Sequence, residues 1–408
     1  MLRDSPQFIA AFLGAVKLGA IPVPLSTLAQ PDEVAFMVRD SGAKVIVTQD
    51  DPLPDRGDPI EAAPTRGDDM CFWQYSSGTT GAPKAVIHLH ERALFPAHAH
   101  GRHVAAIGPD DRVYSMAKLF FSYGLNNSLV IPLATGASVV LDPDRFAAER
   151  AWRLIAAERP TVLYAVPTAY AALLAAADAD AGGDVSSLRL CVSAGEALPA
   201  PLAERWRARF GLAILDGIGS TEIGYIAISN TVDDVTAGSS GRLIPGYEAR
   251  VVGPDGDDAD EGMLWVRGGS IALGYHDRPD RTAATFRDGW VTTGDRYRVR
   301  GGHYFHLGRD DDMLRVGAQW VSPLEVESVL LSHPAVAECA VVGRADADGL
   351  VKVCAYVVVV GEASDLADLC AERLARHKRP RWIEPVAELP KTATGKIQRF
   401  RLRDQAHA

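Results

Sequence analysis

The stretch Tyr75-Ser76-Ser77-Gly78-Thr79-Thr80-Gly81-Ala82-Pro83-Lys84 gathers hydroxyls, glycines and one cation in a single run. Gly78 and Gly81 let the backbone bend, so that successive N–H groups point into one concavity. The hydroxyls of Ser76, Ser77, Thr79 and Thr80 add donors, and Lys84 adds a point charge. Such a loop suits phosphate oxygens. It is not a Walker loop, because the spacing G-x-x-x-x-G-K-[ST] is absent. Glycine and hydroxyls alone would equally suit a surface turn, but this run directly follows the apolar residues 70–73. Elsewhere, Glu222 is a hard oxygen ligand suited to a divalent cation such as Mg²⁺. Asp295 presents two acceptor oxygens after a glycine, and Arg309 is a rigid donor fork. Lys396, between Gly395 and Ile397, is of a type that is usually solvated surface.

The elements that must hold these residues follow from periodicity. The chain opens on a helix capped by Asp4 or Ser5, with Pro6 in its first turn, an apolar stripe of Phe8, Ile9, Phe12, Leu13 and Val16, and Gly19 as its stop. Residues 43–48 read as a buried strand, and 50–68 as a surface loop. Helices over 148–158, 168–177 and 202–210 alternate with strands over 161–166, 188–193 and 213–216. That alternation predicts a parallel sheet flanked by helices, with ligands at the carboxyl ends of the strands, where 194–198 and 217–222 would lie. A β-rich part follows over 240–308, with a hairpin turning at Gly301-Gly302. Ser322-Pro323-Leu324-Glu325 reads as a capping box. Strands near 336–343 and 351–360 and a helix near 364–376 complete a small α+β unit. The fold class is α/β, with a large domain over 1–309 and a small mobile domain over 310–408.

With 408 residues the chain can bury a sizeable core, and a net charge of −10 argues against nucleic acid or an anionic membrane as partner. Its five cysteines form no CxxC pair, which speaks against a zinc site and suits a reducing cytoplasm.

Six segments in order resemble the adenylate-forming superfamily of acyl- and aryl-CoA synthetases, peptide-synthetase adenylation domains and luciferases. They are Ser76 to Lys84, Ser193-Ala194-Gly195-Glu196-Ala197, Gly219-Ser220-Thr221-Glu222, Thr293-Gly294-Asp295, Gly308-Arg309-Asp310-Asp311 and Thr394-Gly395-Lys396. The resemblance covers essentially the whole chain. It implies ATP as co-substrate, held by the first loop, by Gly195, Glu196 and Ala197, by Asp216 and Gly217, and by Thr221, Asp295 and Arg309. Glu222 would take Mg²⁺, and Lys396 would bridge carboxylate and α-phosphate, with Thr221 and Glu222 completing the catalytic set. Asp311 would be the hinge, and Gly317 and Trp320 would line a thiol tunnel. Ala117-Lys118-Leu119-Phe120-Phe121-Ser122-Tyr123-Gly124 and Asp216-Gly217-Ile218-Gly219-Ser220-Thr221-Glu222 look most like the benzoate-CoA ligase branch.

The expected acid is therefore small and aromatic, in a pocket formed by Phe121, Tyr123, Gly219, Gly224, Tyr225 and Ala227. The small residues Gly224 and Ala227 point to a larger or substituted ring, with Tyr225 bonding a ring hydroxyl. CoA is the expected acceptor of the acyl group. A phosphopantetheinyl carrier protein as acceptor, a non-catalytic remnant and a homodimer stay open. Family members generally carry a further segment ahead of Asp4, so the chain is expected to lack the N-terminal part.

Overall fold

The structure is a computed structural model that describes residues 1–51, 57–76, 83–180, 183–316, 319–347, 349–391 and 397–406. The first helix, Pro6–Lys17, forms where expected. Ser5 is its cap, accepting from the Phe8 N–H, and Pro6 opens its first turn. Phe8 and Phe12 are buried against Cys71, Phe72, Leu119, Leu125 and Leu129, while Leu13 is left 36% exposed. Asp4 has a different task from capping, since its carboxylate accepts from the Leu119 N–H at 3.0 Å.

A seven-stranded sheet forms the frame. Its order runs Ser138–Val140, Arg112–Ser115, Val162–Ala165, Leu190–Ser193, Ile214–Gly219, Ile226–Ser229, Arg242–Leu243. The first five strands are parallel and the last two antiparallel. The helices Ala148–Glu158, Pro167–Asp180 and Ala200–Phe210 pack on one face, around fully buried Trp206 and Tyr170. The other face is packed with Val113, Tyr164, Val192 and Leu215. Short antiparallel strands make a three-stranded sheet from Met70–Ser76, Lys84–Leu89 and Gly274–Tyr275. A five-stranded sheet contains the expected hairpin, with Arg300 opposite His303. The small unit has the strands Val336–Ala345, Val351–Val359 and Trp382–Pro385 around Val341, Ala355 and Leu330.

Two expectations need correction. Residues 43–48 form no strand, and Val45 and Ile46 are 78% and 52% exposed. Among the described residues no neighbouring strand pairs with them, and an apolar run cannot be a buried strand without a ladder partner. The capping box is only half made. Ser322 Oγ accepts from the Glu325 N–H at 3.3 Å, but the Glu325 carboxylate is taken by Lys378 Nζ at 2.6 Å.

Burial raises the Asp4 carboxyl from 3.8 to about 6, against the Leu119 hydrogen bond and Lys118, which draw it down. The folded chain therefore holds this proton more tightly than the unfolded chain does. That contribution is full below pH 3.8 and is lost as the pH rises to about 6. Asp4→Asn keeps an acceptor for Leu119 and cannot ionise. In thermal melts it should be more stable than the native chain at pH 8, by up to about 3 kcal/mol, with the gain gone at pH 4. A gain of equal size at both pH values would remove Asp4 ionisation as its source.

Candidate active site

The strands Met70–Ser76 and Lys84–Leu89 pair in antiparallel register, so that Ser76 stands opposite Lys84. Ser77, Gly78, Thr79, Thr80 and Gly81, between them in the chain, lie outside the described residues. Tyr275, opposite Val86 on the adjoining strand, joins three site residues. Its hydroxyl accepts from Lys84 Nζ at 3.3 Å and donates to Glu222 Oε1 at 2.8 Å. Lys84 Nζ also sits 4.4 Å from the Tyr275 ring centroid. The Ser76 hydroxyl donates to the same Glu222 oxygen at 3.4 Å. Burial lowers the Lys84 pKa, and Glu222 offsets part of that. Tyr275 had no signal in the sequence, since a lone tyrosine in a two-residue strand shows no periodicity.

Thr221 and Glu222 lie in the turn between Ile214–Gly219 and Ile226–Ser229. The Ala272 N–H donates to Glu222 O at 2.9 Å, which ties that turn to the neighbouring layer. Gly224 follows at φ +92°, and a Cβ there would lie 2.5 Å from Ser270 O. Its carbonyl accepts from Ser122 Oγ at 2.8 Å and from Asn126 Nδ2 at 3.1 Å. Gly219 lets the backbone of Tyr225 pass close by. Both glycines thus serve backbone approach. Ala227 is fully buried in the core between Ile226 and Ile228.

The aromatic residues do gather. Tyr123 and Tyr225 stack with centroids 6.1 Å apart, the Tyr123 hydroxyl donates to Val192 O at 3.2 Å, and the Tyr225 hydroxyl donates to Asn127 Oδ1. Phe121 is half-buried against Phe120, at 4.5 Å.

Asp295 and Arg309 face one another across two strands. Arg309 Nη1 donates to Thr293 O at 3.0 Å and lies 3.7 Å from Asp295 Oδ1. His306 Nε2 is 3.4 Å from the same carboxylate oxygen. The Arg309 guanidinium fills the space where a Cβ on Gly294 would stand, 2.8 Å from Nη2. The Arg309 Nε also donates to Asp311 at 3.4 Å.

Asp216 is 6% exposed, and burial raises its pKa well above the usual carboxylate range, with the Leu198 N–H drawing it back. It therefore works on the segment 194–198, where Gly195 turns at φ +94° and Glu196 and Ala197 are half-buried. Gly217 packs close to Ile226 and the Ser229 strand.

Lys396 and Gly317 lie outside the described residues, and Trp320 is 56% exposed with the Arg315 guanidinium over its ring. Three positions after Lys396 in the chain, Arg399 Nη2 donates to both oxygens of buried Glu327 at 2.9 Å, and Glu327 Oε1 accepts from the Val341 N–H at 2.7 Å. Arg403 reaches Asp312 at 3.2 Å and donates to Asp311 O at 3.4 Å. The sequence offered no clue to these pairings, because their partners are distant in the chain.

No cluster of three or more His, Cys, Asp or Glu stands ready for a metal among the described residues. Glu222 fits Mg²⁺ as a single carboxylate ligand, an ion that usually fills its shell with phosphate oxygens and water.

The AMP-binding enzyme model matches residues 1–66 and 49–276, and the AMP-binding enzyme C-terminal domain matches 325–396. The chain belongs to the AMP-binding enzyme family. It is 43% identical to the benzoate–CoA ligase of Thauera aromatica, over 98% of this chain and 84% of that enzyme. It is 39% identical to a 4-hydroxybenzoate–CoA/benzoate–CoA ligase of Rhodopseudomonas palustris, over 99% and 83%. The crystal structure of an anthranilate CoA ligase in complex with anthranoyl-AMP superposes with a TM-score of 0.95 at 40% identity, over 100% of this chain and 86% of that one. The expected N-terminal truncation is not borne out, because the shared length says how much of each relative is spanned and not which end. Among the described residues no helix is long and apolar enough to cross a membrane.

In this AMP-binding chain the Gly224 turn is testable by stability alone. Gly224→Ala meets both a positive φ and the Ser270 carbonyl, whereas Gly211→Ala, at φ +73°, meets open space. The first should cost about 2–4 kcal/mol and the second about 1 kcal/mol in urea or thermal unfolding. Equal losses would show that the Ser270 contact relaxes freely.

Proposed function

We propose that the chain is an AMP-forming acid–thiol ligase that activates benzoate or a substituted aromatic acid and passes the acyl group to CoA. The observation that carries this reading is the convergence of Ser76, Lys84 and Tyr275 on Glu222, beside the Tyr123–Tyr225 stack. In the first half-reaction a carboxylate oxygen attacks the α-phosphorus of ATP, and pyrophosphate leaves. In the second, the thiolate attacks the acyl carbon, and AMP leaves.

Each residue has a task in that scheme. The loop 76–84 holds the β- and γ-phosphates by its N–H groups and hydroxyls. Thr221 donates to the α-phosphate. Glu222 is the protein ligand of Mg²⁺, which when bound neutralises developing phosphate charge. Asp295 accepts from the ribose hydroxyls, with Arg309 fixing its orientation at 3.7 Å. Gly195, Glu196 and Ala197 line the adenine side, with Asp216 and Gly217 beneath them. Lys396 brings the two anions together. A small domain over 310–408 then turns at Asp311, takes Lys396 away and opens a thiol path near Gly317 and Trp320. The match to an AMP-binding C-terminal domain over 325–396 supports that division. A carrier-protein thiol is the alternative acceptor, and the assay includes it.

The test is ATP–pyrophosphate exchange with a panel of benzoates, followed by thioester formation with CoA or a phosphopantetheinylated carrier. Exchange with no aromatic acid would overturn the reading. Lys396→Ala should slow adenylate formation by two or more orders of magnitude and spare thioester formation from pre-made acyl-adenylate. Equal losses in single-turnover assays of both steps would remove the bridging role. Tyr275→Phe deletes the hydroxyl between Lys84 and Glu222. It should lower exchange by about 10- to 100-fold with an unchanged melting profile, as expected for a lost hydrogen bond to a charged group.

A further inference from the structure

His100 sits on the wide turn Ala97–Arg102 and is fully buried, yet neither ring nitrogen has a hydrogen-bond partner among the described residues. The hydroxyl of Tyr164, also fully buried, makes no well-formed hydrogen bond and lies beside the Tyr225 hydroxyl. Buried polar atoms are nearly always satisfied, and those that are not call for an occupant. The surroundings say which kind. The His100 ring stands edge-on to Tyr225 at 5.2 Å and 89°, and 6.3 Å from the Tyr164 ring. Tyr164 in turn meets Tyr123 at 6.0 Å. Tyr123 and Tyr225 have given their hydroxyl protons to Val192 O and Asn127 Oδ1, so those two hydroxyls can offer a ligand only acceptor lone pairs. Tyr164 is one residue from the carboxyl end of its strand, and Val192 is likewise in the next strand. The cluster therefore lies just beneath the sheet edge where ligands gather.

We infer that His100 and the Tyr164 hydroxyl form the polar floor of the acid pocket and select an aryl acid that bears a neutral hydrogen-bonding ring substituent, a hydroxyl or an amino group. This rests on the aryl-acid reading above. Burial pushes the His100 imidazole down to about 3, so it is neutral, with one nitrogen donating and the other accepting. That pair of roles matches a group which itself both donates and accepts. A charged substituent would be stranded without a counter-charge at such depth. Unsubstituted benzoate would leave the floor unpaired.

The experiment compares the full chain with His100→Phe and Tyr164→Phe in ATP–pyrophosphate exchange. The acids are benzoate, the three hydroxybenzoates and the three aminobenzoates, and melting curves run in parallel. Tyr164→Phe removes one oxygen and no ring, so it tests the floor even where His100→Phe does not fold. The native chain should favour at least one substituted acid over benzoate by about tenfold or more in kcat/KM, and each folded variant should shrink that ratio by about tenfold. The position preferred by the hydroxy and amino series tells which group the floor takes. The same ratio in native chain and variants would overturn the inference, and it would mean that the two groups only pack the core or hold water. A native chain inactive on all seven acids would instead overturn the aryl-acid reading, and this inference with it.

Discussion

The Gly224 carbonyl is held by Ser122 and Asn126 on one side, while its Cα edge lies against the Ser270 carbonyl on the other. That small knot joins three parts of the chain that are far apart in sequence. The turn it fixes carries Thr221 and Glu222 before it and Tyr225 after it. The segment that supplies Ser122 also carries Phe121 and Tyr123. The layer that supplies Ser270 continues to Tyr275, which bonds Glu222. A side chain added at this glycine would shift the Glu222 carboxylate and the aromatic stack together. Chemistry and recognition thus share one backbone constraint, and the sheet below supplies its rigidity.

Electrostatics in the two halves of the chain differ in kind. Around Glu222 the charges are half-buried and connected through a hydroxyl, so they can respond to a ligand's phosphates. In the small unit, Arg399 is clamped by both oxygens of Glu327, and Glu327 is itself bonded to the Val341 N–H. Burial works against the Arg399 charge, and Glu327 more than restores it. A buried pair of this type adds little net stability, yet it is costly to break and so fixes geometry. It holds the start of the helix Arg399–Ala406 against the strand Val336–Ala345.

Legibility in the sequence followed the range of the forces involved. Ser5-Pro6 and Ser322-Pro323 marked helix starts because caps act within one turn. The hairpin at Gly301-Gly302 was readable for the same reason. The helices and strands over 148–219 stood out because their periodicity is strong, although the last strand runs on through Gly219. Residues 43–48 misled, since an apolar run says nothing of whether a neighbour exists to pair with it. The motif residues were recognisable as types, but the pairing of Asp295 with Arg309 is a matter of strand register. Tyr275, His100 and Arg403 had no local signal at all, because each acts through partners that only folding brings near. Gly224 was noticed for its smallness, but its approach to the Ser270 carbonyl had no local signal, because a sequence does not reveal which atom comes near.

Arg403 grips the backbone of Asp311 and the carboxylate of Asp312, on the very link about which the small domain is proposed to turn. Arg403 is 37% exposed and Asp312 16% exposed, so water and ions reach the pair. An ion pair of that exposure is typically worth about 0–1 kcal/mol and is screened by salt. In the proposed turn such a contact would act as a detent, biasing one pose at little cost to its release. Ionic strength would then set the timing of the proposed turn, because salt screens a contact of that exposure.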